Sequence, residues 1–222
     1  MKLYTYDHCP YCVRTRLAFG LKGISFEHIV LLNDDEATPI RFVGAKMVPI
    51  LQKDDGTHMS ESMEIVRYVD SNDGDLLFAE LNENDAFQDW YQATSELIRK
   101  LLFPRWVASP LPEFETDSAR AYFTRKKTET IGDFGEALAN TPTLKTEMEL
   151  ALDKLEPLIQ SPHAVRGVLS YEDIDLFGKL RGLTLIKDLR IPTGVRAYID
   201  TMAKAGKVPL YDELAELAAG NL

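Results

Sequence analysis

The apolar patterning of this 222-residue chain changes once, near residue 72, and that change restricts it to a two-part fold. Before it, strand and helix signals alternate. Residues 2–6 alternate as a short strand, and 11–22 read as a helix. Residues 25–31 form a second strand. Asn33-Asp34-Asp35 is a polar turn whose aspartates are placed to cap a short helix over 37–43. Residues 46–52 read as a strand entered through Pro49, and Asp54-Asp55-Gly56-Thr57 is a hairpin signal leading to a brief partner strand, 58–60. A helix starts at Glu61 or Ser62, with Met63, Ile65, Val66, Tyr68 and Val69 at helical spacing. A strand–helix–strand unit implies a parallel pair and a tight hairpin an antiparallel one, so the expected product is one mixed, four-stranded sheet with helices on its faces.

Ser71-Asn72-Asp73-Gly74-Asp75 stops the pattern, and beyond it strand signals nearly vanish. Helical periodicity covers 83–102, broken by Pro104, and returns over 117–138, 141–158, 170–187, 194–205 and 211–218. Several of these segments begin after Ser, Thr, Asn or Asp. The expected organisation is an α/β domain over 1–72, a linker over 73–82 and an all-α domain over 83–222. In the latter, Ser170 and Asp173 are spaced for a capping box, with Leu169 and Ile174 as its hydrophobic staple. A formal net charge of −10 argues against nucleic-acid binding and leaves no basic patch for an anionic membrane. No apolar stretch approaches the roughly 20 residues of a membrane span.

The only two cysteines stand in Cys9-Pro10-Tyr11-Cys12, where the first strand ends and the first helix begins. Two thiols so close can form and break a disulfide with little backbone movement. The first sits where a helix presents unpaired N–H groups and a partial positive charge, which favours thiolate. Redox chemistry is the leading reading, against two alternatives. A structural clip this short would constrain the unfolded chain little, and zinc needs about four ligands, for which His8, His28, His58 and His163 show no suitable spacing. With no charged-then-apolar leader in view, a reducing cytoplasmic location is expected. Pro10 suits a helix's first turn. His8, Trp90, Tyr91 and Trp106 read as packing residues, and Asp34-Asp35-Glu36 as a solvated cap and not a metal site.

Three short stretches carry a resemblance. Cys9-Pro10-Tyr11-Cys12 resembles a glutaredoxin active site. Val48-Pro49 lies where thioredoxin-like proteins carry a cis-proline. Glu61-Ser62 is similar to the acidic-or-amide–serine pair that opens a helix in glutathione transferases. Together with 167–174, these features resemble the large two-domain bacterial glutaredoxins, whose architecture is that of glutathione transferases. The resemblance implies a thioredoxin-like domain of four mixed strands followed by an all-helical domain. It also implies glutathione-dependent reduction of glutathione mixed disulfides and of protein disulfides, with glutathione as co-substrate and no permanently bound cofactor.

In that reading Cys9 is the nucleophile and Cys12 the resolving thiol. Tyr11, Val48, Pro49, Glu61 and Ser62 contact glutathione: Val48 by its backbone, as in strand addition, Ser62 from a helix start to the γ-glutamyl carboxylate, and Glu61 to the ammonium. Small glutaredoxins often carry Lys where this chain has Tyr6, so the glycine carboxylate needs another cation, for which Lys22, Lys46 and Arg41 are candidates. Expected partners are glutathione and glutathionylated or disulfide-containing proteins, with the chain itself a monomer. The alternatives are a glutathione transferase, against which the second cysteine argues, and a non-enzymatic interaction protein on a transferase scaffold. Iron–sulfur carriage by a dimer is a minor further alternative, and Pro10 argues against it.

Overall fold

The computed structural model describes residues 1–72, 74–82 and 85–218. Strands β1 (Lys2–Thr5), β2 (Glu27–Val30), β3 (Ile50–Gln52) and β4 (His58–Met59) form one sheet in the order β2-β1-β3-β4. β1 runs parallel to β2, with Lys2 opposite Glu27, and antiparallel to β3, with Lys2 opposite Gln52. β4 closes the sheet antiparallel to β3. Helices α1 (Pro10–Lys22), α2 (Ala37–Val43) and α3 (Ser62–Asn72) complete this first part. The connection order and mixed pairing are those of a thioredoxin-like domain. The strands are shorter than the alternation suggests, and β3 starts only after the cis Val48–Pro49 peptide bond, because Pro49 has no N–H to give the ladder.

The second part is helical: α4 (Asp85–Ala108), α5 (Asp117–Ile131), α6 (Phe134–Ala139), α7 (Thr141–Leu155), α8 (Tyr171–Leu180), α9 (Thr193–Gly206) and α10 (Asp212–Ala218). Three sequence expectations are corrected here. Pro104 does not break its helix; α4 continues four residues past it, to Ala108. An internal proline costs about 3 kcal/mol, and here the burial of Leu101, Leu102, Phe103 and Trp106 across that turn outweighs it. The segment 117–138 is two helices, because Gly132 adopts φ 83° and Asp133 then caps α6 by accepting from the Glu136 N–H. The helices expected over 141–158 and 170–187 both tighten at their ends into 3-10 turns, Glu156–Leu158 and Arg181–Leu185.

One continuous apolar core runs through both parts, from Leu3, Leu17 and Ile65 to Phe87, Phe177 and Tyr198. α1 packs on α3 and also on α8 and α9. At its contact with α9 the backbones nearly touch: a Cβ added to Gly20 would lie 1.8 Å from the Gly206 carbonyl oxygen. Any side chain there would drive the two parts apart.

The stretch expected as a linker is anchored at several points. The fully buried Asp70 accepts from the N–H groups of Leu77 (2.8 Å) and Phe78 (3.2 Å), and Ala79 donates to the Leu169 carbonyl (2.9 Å). Ser170 and Asp173 form the reciprocal capping box at the start of α8. Asp173 does more than cap: its carboxylate accepts from the Ser170 N–H (2.8 Å), the Val165 N–H (2.7 Å) and the Tyr198 hydroxyl (3.2 Å).

Candidate active site

Cys9 is the N-cap residue of α1, with extended backbone (φ −68°, ψ 119°), so the first-turn amides of the helix face its side chain. Both cysteines are reduced. Cys9 keeps 9% of its surface and Cys12 none, so an incoming disulfide reaches the first sulfur and not the second. Their acidities diverge accordingly. The Cys9 thiol is lowered to about 7, chiefly by the hydrogen bond from Cys12; burial opposes this, and the His8 charge and the N–H groups of Cys12 and Tyr11 assist it. The Cys12 thiol is pushed up, first by burial and then by the hydrogen bond and charge of Cys9. Two thiols in one turn are thus split into a thiolate and the proton donor that stabilises it.

The two residues before Cys9 are gripped by the helical part. Asp7 pairs with Arg16 of α1 and with Arg181, which is 2% exposed, and it accepts a 2.6 Å hydrogen bond from the Tyr211 hydroxyl. Burial raises the Asp7 carboxyl, but Arg181 and Arg16 outweigh it and hold it well below the usual range. Arg181 also donates to the Asp7 and Pro209 carbonyls (2.6 and 2.8 Å). His8 packs against the rings of Tyr6, Trp106, Phe114 and Phe123. Glu113 Oε1 accepts from both its backbone N–H (2.8 Å) and Nδ1 (2.5 Å). Burial pushes the fully buried Glu113 carboxyl up, but the hydrogen bonds and charge of His8 outweigh it and hold the carboxyl below its ordinary value.

A cleft of about 1100 Å³ lies between the two parts. Cys9, Tyr11 and Val48 line it from the sheet side together with Lys46, while Tyr91, Trp106 and Lys179 are among those lining it from the helical side. Pro49 follows Val48 through the cis bond at that wall. Glu61 and Ser62 are not among the lining residues. Glu61 is exposed in a left-handed conformation (φ 70°), and the buried Ser62 accepts from Arg14 Nη1 at 3.1 Å. Arg14 stacks on the Tyr11 ring and pairs with Asp175 of α8, so a second hydrogen-bonded bridge joins the parts beside Cys9.

Of the three candidate cations, Lys22 is occupied by the Asp70 and Asp75 carbonyls (2.8 and 2.7 Å), and Arg41 lies over the Phe42 ring away from the cleft lining. Lys46 lines the cleft, donating to the Asn33 carbonyl and lying 3.5 Å from the Tyr122 ring centroid; burial lowers its ammonium to about 8.

Trp90 is a packing residue, donating to the Ala151 carbonyl at 2.8 Å. Tyr91 and Trp106, read from sequence as packing residues, are part of the cleft wall. Sequence reasoning did not find Glu113, Arg181 or Tyr211. The usable signal was Arg181 itself, a charge set among the apolar residues that follow Ile174.

Residues 3–76 match the family model for the glutathione S-transferase N-terminal domain, and residues 86–215 match that for the C-terminal domain of glutaredoxin 2. The chain is 46% identical over 215 residues to glutaredoxin 2 of Escherichia coli K12, covering 97% of this chain and 100% of that one. The 1.2 Å crystal structure of glutaredoxin 2 from Salmonella typhimurium in complex with glutathione is 47% identical. It superposes with a TM-score of 0.93, over 96% of this chain and 98% of that one. A Tau class glutathione S-transferase from mango shares only the fold, at 17% identity and a TM-score of 0.58, over 100% of this chain and 98% of that one. The thiol pair at the head of α1, the sheet that carries it and the helical part that grips the turn before it are therefore features of a chain that belongs to the glutaredoxin 2 family.

Proposed function

We propose that this glutathione-dependent thiol–disulfide oxidoreductase works through Cys9 as nucleophile and Cys12 as resolving thiol. The observation that carries this reading is the split in acidity between two thiols one turn apart, with the more acidic one at the cleft. Toward a glutathione mixed disulfide, the Cys9 thiolate attacks the glutathione sulfur. A Cys9–glutathione disulfide forms, the partner's thiolate leaves and takes up a proton. A second glutathione thiolate then attacks the retained glutathione sulfur, yielding glutathione disulfide and the Cys9 thiolate.

Toward a protein disulfide, Cys9 forms a mixed disulfide with one protein sulfur and releases the other. The Cys12 thiolate then attacks the Cys9 sulfur, expelling the second protein thiolate and leaving a Cys9–Cys12 disulfide that two glutathiones reduce. Once Cys9 is bonded to another sulfur, its hydrogen bond and its charge no longer hold the proton on Cys12, and burial alone remains. The resolving thiol becomes more acidic at the step that needs it.

Glutathione binds with its cysteine toward Cys9, its backbone against Val48 beside the cis Pro49, and Tyr11 flanking its sulfur. Lys46 takes the glycine carboxylate, since it alone of the three candidate cations lines the cleft. Ser62 and Glu61 meet the γ-glutamyl end beyond the cleft lining, with the Ser62 hydroxyl already oriented by Arg14. The same reading keeps the chain a cytoplasmic monomer with no permanent cofactor, divided at 1–72 and 83–222 and acting on glutathionylated or disulfide-bearing proteins. A transferase reading is disfavoured by Cys12, which would divert a bound thiol into a disulfide. Assays of glutathione-dependent reduction of the 2-mercaptoethanol–glutathione mixed disulfide and of electrophile conjugation test the reading. Turnover in the first with none in the second is expected, and conjugation without reduction would overturn it.

A further inference from the structure

The cleft is unlike the rest of the molecule in charge. The chain carries 35 acidic and 25 basic residues, yet among the described residues no Asp or Glu lines the cleft, while Lys and Arg line it at five positions. Two of these five already have a role: Lys46, which donates to the Asn33 carbonyl and takes the glycine carboxylate in the reading above, and Lys179, paired with Asp175 at 2.9 Å. The other three, Arg99, Lys126 and Lys127, belong to the helical wall. Among the described residues none of them has a carboxylate within ion-pair distance; Arg99 bonds only to Ser95 of its own helix, and Lys127 lies over the Phe103 and Phe123 rings.

Positive charge without an ion-pair partner, in a chain of net charge −10, favours an anionic occupant. A second, independent observation also points to a ligand. Trp106, only 5% exposed, and Tyr91 line this wall, and Trp106 Nε1 and the Tyr91 hydroxyl are buried without a hydrogen-bond partner. Buried donors are rarely left unpaired, and both suit the carbonyls and carboxylates of a peptide. Size agrees as well. Pockets for single drug-sized ligands run to roughly 300–1,000 Å³, and a tripeptide falls toward the small end of that range, so the 1100 Å³ cleft holds more than glutathione.

We infer that the helical wall is a second subsite, which takes an acidic peptide segment flanking the glutathionylated cysteine of a protein substrate. This rests on the reading of Cys9 as nucleophile: glutathione occupies the sheet side and is retained on Cys9, while the protein thiol that leaves belongs to the segment held on the helical side. Arg99, Lys126 and Lys127 pair with its carboxylates, and Trp106 and Tyr91 donate to its backbone. The helical part thereby selects among mixed disulfides that are identical at the reacting sulfur.

The test uses the full chain and two peptides of equal length, each bearing one cysteine as a glutathione mixed disulfide, flanked by Glu in one and by Lys in the other. The Glu peptide is expected to show the higher kcat/KM, with a margin that shrinks at high salt. Lys126→Gln combined with Lys127→Gln is expected to lower that value roughly tenfold, at a few-fold per lost ion pair, and not to lower it for the Lys peptide, whose repulsion by the wall it relieves. The 2-mercaptoethanol mixed disulfide has no flanking segment and reports the Cys9 reaction alone. If it turns over while the two peptides do not differ, or if the double variant loses equally on both, the subsite is refuted and the Cys9 reading stands. If it does not turn over, the Cys9 reading fails. Binding of a labelled, reduced Glu peptide to the Cys9→Ser chain then judges the wall separately: salt-sensitive binding that the double variant weakens supports it, and its absence overturns it.

Discussion

The helical part holds two buried acidic clusters that look alike and serve different ends. Around Asp173, every partner belongs to the helical part itself: Ser170, Val165 and Tyr198. Around Arg181 and Glu113, the partners include Asp7 and His8, the two residues that lead into Cys9. The chemistry of burial is the same in both, polar groups withdrawn from water and matched with one another. The difference lies in which chain segment is held. The first cluster fixes a helix start; the second fixes the turn that aims the reactive thiol and sets the charge beside it. Thus the helical part contributes to the sulfur chemistry without supplying a sulfur.

Breaking the sulfur chemistry itself gives the largest effect. Cys9→Ser is expected to abolish reduction of the small glutathione mixed disulfide, since no other thiol stands at the α1 start. Cys12→Ser should retain that turnover and lose most two-thiol reduction of a protein disulfide, measured side by side. Next comes the grip on Asp7. Arg181→Ala removes one of the two guanidinium partners of the half-buried Asp7 and leaves Arg16 and Tyr211, and a loss of about 1–3 kcal/mol in urea unfolding is expected. Asp7 titrates below its unfolded value, so its contribution is fully present above about pH 4 and is lost as pH falls through the folded value. The gap between the variant and the intact chain should therefore be widest at neutral pH and narrow in acid.

The inward-facing cluster should respond in stability alone. Asp173→Ala, which orphans two backbone N–H groups and the Ser170 hydroxyl, is expected to cost about 1–3 kcal/mol. Ser170→Ala should cost about 0.5–2 kcal/mol. In both, the specific activity of the folded fraction stays unchanged, and an activity loss at full stability would merge the two clusters into one. The smallest effect is the most local. His8→Gln removes the charge that assists Cys9, so the pH midpoint of Cys9 alkylation should move up from about 7, leaving less thiolate at pH 6.

Much of this was legible in the sequence because it is local. The Cys9-to-Cys12 spacing, the strand–helix order and the Ser170–Asp173 box are each written within a few residues of one another. What was not legible depends on distant pairing. Nothing near His8 announces Glu113, which lies 105 residues on, nor does anything near Asp7 announce Arg181, 174 residues on. The same holds for Lys22, which local reasoning left open as a ligand cation and Asp70 claims from 48 residues away. Pro104 misled for the opposite reason: a strong local signal yielded to the burial of the residues around it.

The central claim is that Cys9, acidified by Cys12 and by its place at the helix start, is the reacting thiol. The direct measurement is the rate of iodoacetamide alkylation of the reduced, intact chain as a function of pH, with the modified residue located by mass spectrometry. A single modification at Cys9, its rate rising through a midpoint near 7 while Cys12 stays unmodified, is the predicted result. First modification at Cys12, or a Cys9 midpoint near the ordinary thiol value of 9, would contradict it.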